Sequence, residues 1–161
     1  MTDETSHETA PAAEAPARKL GMVKVVGALG IIGGILLIIV GIIAWIGVTT
    51  QLTAEKITIP DDAIAFQGQQ VTGPITAWVQ ADIINTHALA ASGGKTYAEL
   101  PQDDEARNTV MQASFLRASL FTSIVAYGVA LFAAGMGVLA ILFGWAFLRL
   151  ASAPVVVKPA Q

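Results

Sequence analysis

The stretch ASLFTSIVAYGVALFAAGMGVLAILFGWAFL, residues 118–148, lies between Arg117 and Arg149 and contains no Asp, Glu, Lys, Arg or His. A helix over these 31 residues is about 46 Å long, more than the roughly 30 Å of hydrocarbon in a bilayer. A core helix of a small soluble protein carries a polar stripe, and this stretch has none on any face. Lipid is therefore its expected surroundings.

Composition agrees with that reading. The chain is 54% hydrophobic and 13% charged, whereas soluble domains average about 25% charged. A second apolar block, residues 25–48, follows Arg18, Lys19 and Lys24. As a helix it is about 36 Å long, enough to cross a bilayer. It exceeds the core of a secretory signal peptide, about 7 to 15 residues, and AWIGVTTQL offers no Ala-x-Ala cleavage pattern, so it reads as an uncleaved first span.

The expected fold class is mainly α: a membrane protein with two transmembrane helices in a hairpin and a small α-helical or α+β extracytoplasmic domain between them. Residues 1–19, acidic and rich in Ala, Thr and Pro, read as a disordered cytoplasmic tail. Transmembrane helix 1 is expected over 20–48, the extracytoplasmic domain over 49–102, and a long helix containing transmembrane helix 2 over 103–149. Residues 150–161 form a second cytoplasmic tail. Lys and Arg flanking the spans favour the cytoplasmic side, and the basic residues before the first span and after the second outnumber Lys56 and Arg117 on the opposite side. Trp45 and Trp145 then fall at opposite interfaces.

The first span contains a GxxxG pair, Gly30 and Gly34, and the second answers with small residues at Ala126, Ala130 and Ala134 and at Ala133, Gly137, Ala140 and Gly144. Small residues let helix backbones approach closely, which matters where burial of apolar surface no longer drives association. These positions are expected to pack span on span. Thr122, Ser123 and Tyr127 are expected to satisfy their hydroxyls on their own helix.

In the middle segment, KITIP (56–60) alternates as a short strand does, and AFQGQQV (65–71) is its expected antiparallel partner, with Gly68 at a bend. Thr72 or Gly73 caps a helix with Pro74 in its first turn. Ile75, Trp78, Val79, Ile83 and Thr86 share its expected buried face, and Ser92, Gly93 and Gly94 stop it. Thr96 and Glu99 have capping-box spacing for a second short helix containing Tyr97 and Leu100. The cluster Asp103, Asp104 and Glu105 suits the positive end of the last helix, which meets no Gly or Pro until Gly128. Val110, Met111, Phe115 and Leu116 on that helix are expected to meet Trp78, Ile83 and Leu89.

The search for chemistry excludes more than it finds. With no cysteine, disulfides, thiolate metal sites and thiol nucleophiles are absent. No basic field for nucleic acid exists. The spans hold no ionisable residue to mark a transport pathway. GGK at 93–95 is not a P-loop, because Leu89 stands where the leading glycine belongs. Asp82, Asn85 and His87 in QADIINTHALA form the one site-like cluster, yet Asp82 and His87 are about 140° apart on a helix. A hydrolytic or metal-dependent site around Asp82 and His87 is thus the alternative. The preferred reading gives Asp82 and Asn85 hydrogen bonds that position the outer helix. His7 stands alone in the tail. Arg117, at the outer mouth of the second span, is expected to snorkel to phosphate groups or pair with an acidic residue.

ADIINTHALAASGGKTYAEL (81–100) and TVMQASFLRASLFTS (109–123) resemble a family of small two-span actinobacterial membrane proteins. The match extends to the first span and to TTQLTAEKITIPDDAIAF (49–66), hence to most of residues 20–150. The resemblance implies the same two-span plan. Some members of that family carry the label of a ring-opening dioxygenase subunit, which would typically need two His and a carboxylate around iron. Here His7 and His87 fall on opposite sides of the expected membrane. The expected function is that of a non-enzymatic accessory or interaction subunit in the cell membrane, with no cofactor and no metal. Its expected partners are the lipid bilayer and another membrane or envelope protein, with a homo-oligomer also open.

Overall fold

A computed structural model describes residues 17–152, with side chains from residue 21 onward. The expectations for residues 1–16 and 153–161, His7 among them, lie outside the described residues. Residues 17–19 and 150–151 of the expected tails belong to helices instead, since the backbone ladder runs past the apolar blocks at both ends. Three helices follow in order: α1 (Ala17–Ala54), α2 (Pro74–Ala91) and α3 (Ala106–Ala151). The protein is mainly helical, and α1 and α3 are each long and apolar enough to cross a membrane. Little of either apolar stretch is buried against the rest of the protein, unlike the core helix of a soluble domain.

The 46 residues of α3 make a rod about 69 Å long. It is uninterrupted because no proline occurs within it and its glycines are scattered singly. The start is marked by Asp104, whose carboxylate accepts a 2.9 Å hydrogen bond from the Ala106 N–H, satisfying one of the four donors a helix start leaves open. The helix thus begins at Ala106 rather than at residue 103. Similarly, α1 outlasts its apolar run and continues to Ala54, six residues beyond the expected end of the first span at residue 48. Hydropathy marks where apolar residues stop, whereas the backbone ladder continues through TTQLTA until Lys56 takes a left-handed conformation, φ 53°.

Antiparallel α1 and α3 touch along one seam. A Cβ built at Gly34 would stand 2.5 Å from the Gly137 carbonyl oxygen and 2.7 Å from Cγ1 of Ile141. The relation is reciprocal, since a Cβ at Gly137 would stand 2.5 Å from the Gly34 carbonyl oxygen and 2.8 Å from Cγ1 of Ile38. Gly27 faces Gly144 and Leu148, Gly144 faces Ile31, Gly30 faces Ala140, and Gly41 faces Ala130 and Ala134. Gly27, Gly34 and Gly41 recur every seven residues, as do Ala130, Gly137 and Gly144. An aliphatic side chain from one helix therefore enters the gap left by a glycine on the other, the knobs-into-holes logic of a heptad seam. Gly33, Gly47, Gly128 and Gly135 face open space. Arg149 lies over the Trp145 ring at 5.2 Å, near the end of α3 away from the connector.

Residues 55–105, the connector, join the two rods and fold back along α3. The expected strand pair is reduced to one antiparallel bridge, Thr58 with Gln70. Ile59 N–H donates to Gln69 O and Val71 N–H to Ile57 O, both at 2.9 Å. Gly68 takes φ 71° at the bend. No strand occurs among the described residues, so the α+β option falls away. The expected helix at Thr96 is also absent. Its box exists as a single turn in which the Thr96 N–H and hydroxyl each donate 2.8 Å hydrogen bonds to the Glu99 carboxylate, and Pro101 allows no continuation. These two bonds hold the Glu99 carboxyl below the usual carboxylate range.

Ahead of α2, Gly73 occupies the cap, and its N–H donates to the Thr76 hydroxyl at 3.1 Å. Beyond Ala91, Gly93 and Gly94 take φ 66° and 83°, and Gly94 N–H closes the end on Leu89 O at 2.7 Å, a glycine stop of the left-handed kind.

The buried face of α2 corrects the expected one. Val79 and Ile83 are buried, but so are Ala77, Gln80, Ala81 and Ala88, while Ile75 is 66% and Trp78 50% exposed. Thr86 is exposed too. Alanines let α2 lie close on α3, and a periodicity count led by the largest side chains misplaces that face. On α3, Val110 is buried and Leu116, though half-exposed, lines clefts against Ile84 and Ala88 of α2 as expected, whereas Phe115 points outward. The connector core is a cluster of Leu52, Ile59, Ala63, Val71, Val79, Ile83, Leu120 and Tyr127 with neighbouring alanines.

Candidate functional site: where the connector meets the helix pair

Tyr127 ties the connector to the rods. Its side chain is fully buried among α1, α3 and the start of α2. Its hydroxyl shares a 2.9 Å hydrogen bond with the Thr49 hydroxyl on α1 and donates to Thr72 O at 3.3 Å. With one proton on each hydroxyl, Thr49 donates to Tyr127 and Tyr127 to the Thr72 carbonyl. Trp45 packs edge-on against the Tyr127 ring at 4.6 Å and 63°, a favourable aromatic arrangement. The expectation that Tyr127 satisfies itself on its own helix is thus overturned, whereas Thr122 and Ser123 do bond Ala118 O and Ser119 O one turn back. A phenol hydroxyl stands too far from its own backbone for that bond, and this reach was the available signal.

Further along α2, His87 Nε2 lies 2.7 Å from the Asp62 carboxylate. That bond holds the Asp62 carboxyl below its ordinary range. The partner of His87 is therefore Asp62, not Asp82. Asp82 is exposed, and its main-chain carbonyl accepts the Thr86 hydroxyl. Among the described residues no three His, Cys, Asp or Glu side chains are grouped to hold a metal.

Arg117 lies on the face of α3 that meets α2. It lines a small cleft with Asn85, Ala88, Tyr97, Val110 and Ser114. Its Nε is buried without a hydrogen-bond partner, and its guanidinium carbon is 5.9 Å from the Phe121 ring centre. No carboxylate pairs with it among the described ion pairs. Arg107, the second residue of α3, does close a contact: it donates to Leu100 O at 2.7 Å and covers the Tyr97 ring at 4.1 Å, pinning residues 97–100 to the rod.

Of the small residues expected to pack, Gly30, Gly34, Ala130, Ala134 and Gly137 lie in the seam. Ala126 lines a shallow groove with Gly47, Val48, Gln51, Thr122 and Ser123. Two features escaped the sequence: Gln80 turned inward, and Asp62 as the mate of His87. Comparison with family models, with curated proteins and with solved structures finds no match.

Proposed function

We propose that this is an integral membrane protein of two spans, with both termini cytoplasmic and residues 49–117 extracytoplasmic. In this reading it acts without catalysis, as an accessory or interaction subunit that presents its connector to another membrane or envelope protein. The resemblance to small two-span actinobacterial proteins favours the same plan. The observation that carries the interaction role is the connector's exposed apolar surface. Ile64 is 78% exposed two residues from Asp62, which the bond to His87 holds against α2. Ile75 and Trp78 at the start of α2 are at least half-exposed as well, and several large apolar side chains left open on one short connector mark an interaction surface as a single one would not.

Extraction in mild detergent followed by pull-down is expected to recover a stoichiometric partner that Ile64→Asp releases. A clean monomer or homo-oligomer would count against the role. Topology has a separate test, because the chain contains no cysteine. Lys95→Cys is expected to react with a membrane-impermeant maleimide on intact cells, and protection of that thiol would invert the orientation.

A further inference from the structure

Between the end of α1, the middle of α2 and the mouth of α3 lies a cleft of about 270 Å³ lined by Leu52, Glu55, Ile57, Gln80, Ile84, Leu116, Ser119 and Leu120. Its walls are mostly aliphatic. Gln80 is only 8% exposed, and its side-chain amide oxygen is buried with no hydrogen-bond partner. A buried acceptor left unpaired costs about 1 to 3 kcal/mol; that oxygen is closed to solvent in the structure, and a donor from an occupant would pair with it once the amide turns toward the cleft. Water alone suits the cleft poorly. The lining offers only Gln80, Ser119 and Glu55 as polar side chains, so water filling the cleft leaves its aliphatic wall wetted, which an apolar occupant relieves. The occupant that matches is mostly hydrocarbon with a donor-bearing polar end.

We propose that the cleft binds one membrane lipid of the outer leaflet, an acyl chain against Leu52, Ile84, Leu116 and Leu120 and a head group carrying N–H or O–H donors at Gln80 and Glu55. The proposal rests on the reading that α1 and α3 cross the bilayer. The cleft lies where the apolar runs end, at the level of Leu52 on α1 and Leu120 on α3. Both acceptors, one neutral and one anionic, select for an ammonium such as that of an ethanolamine lipid. A choline head group carries the same charge but has no N–H to donate.

The test uses the full chain in nanodiscs with phosphatidylethanolamine or phosphatidylcholine bearing a photoreactive acyl chain, read by mass spectrometry of labelled peptides. The ethanolamine probe is expected to label the cleft peptides about tenfold more than the choline probe, the ratio a single charge-assisted hydrogen bond supports. Gln80→Leu combined with Glu55→Met, which removes both acceptors at nearly constant volume, is expected to abolish that preference. Ser119→Trp, at an exposed rim position, is expected to abolish cleft labelling. Equal labelling by both probes, or a preference that survives the double substitution at Gln80 and Glu55, overturns the head-group assignment. Cleft labelling that survives Ser119→Trp, or none in the unaltered chain, overturns the site. Labelling of outward-facing Leu131 and Phe132 is the control: if it persists, only the cleft proposal fails, and if it too is lost, the two-span reading fails.

Discussion

The seam between α1 and α3 and the core under α2 are built by opposite means within one short chain. The seam brings backbone against backbone through Gly27, Gly34, Gly41, Gly137 and Gly144, while the connector core fills space with Ile59, Val71, Val79, Ile83 and Leu120. The difference follows the solvent each region is suited to. Where lipid surrounds a helix, burying an isoleucine gains little over leaving it outside, so close dispersion contact must hold the rods together. Where water surrounds the connector, removing aliphatic surface from it stabilises the fold directly. Tyr127 stands at the join and serves both, with its ring in the core and its hydroxyl bridging α1 to the connector.

Shortening a core side chain is expected to have the largest effect and to confine it to one region. Ile59 is essentially fully buried, and Ile59→Ala is expected to cost about 2 to 5 kcal/mol. Limited proteolysis within residues 92–104 should accelerate while α1 and α3 stay paired. Unchanged proteolysis would show that the cluster does not hold the connector.

Enlarging a seam residue is the converse experiment. Gly34→Val places methyl groups against the Gly137 backbone and is expected to cost about 1 to 3 kcal/mol, as overpacked interiors do. Its neighbour Gly33 faces open space, so Gly33→Val is expected to stay within about 0.5 kcal/mol of the parent. Thermal unfolding in one detergent compares the two, and equal losses would refute the seam.

Removing the bridge between regions has a smaller consequence. Tyr127→Phe deletes the hydroxyl bonded to Thr49 and Thr72 and is expected to cost about 1 kcal/mol. Faster amide exchange around residues 72–77, with exchange at residues 30–41 unchanged, would locate the loss in the docking of the connector.

The smallest effect concerns acid. Asp62 is held below the ordinary carboxylate range by its bond from His87, and Glu99 by its bonds from Thr96. A carboxyl with a lowered folded pKa adds stability that is present above its unfolded value and is lost as pH falls through its folded value. Both groups are exposed, so the contribution is small. Below the ordinary carboxylate range, the stability difference between the parent and Asp62→Asn is expected to shrink, and His87→Ala should move the carboxyl titration of Asp62 upward by NMR. A titration that stays put would separate Asp62 from His87 in solution.

Much of the architecture was legible in advance because its signals are local. An uncharged run of 31 residues needs no tertiary information to be read as a long apolar rod, and Pro74 with Gly93 and Gly94 punctuates α2 through backbone constraints those residues carry anywhere. The bend at Gly68 and the pairing across it were visible for the same reason, although only one bridge forms. The site was far less visible. Ile75 and Trp78 have the spacing of a buried face and are exposed, while Gln80 resembles a surface residue and is buried. Asp62 and His87 are 25 residues apart, and no spacing rule joins them.

By itself, then, the sequence determined two apolar rods, a polar connector and the punctuation of α2 by Pro74, Gly93 and Gly94. Tertiary structure decided which glycine faces a partner, which hydroxyl leaves its own helix and which amide turns inward. The physical reason is that hydropathy and backbone preference belong to single residues and their near neighbours. Contact belongs to pairs, and two adjacent glycines such as Gly33 and Gly34 differ only once a second helix is laid against one of them.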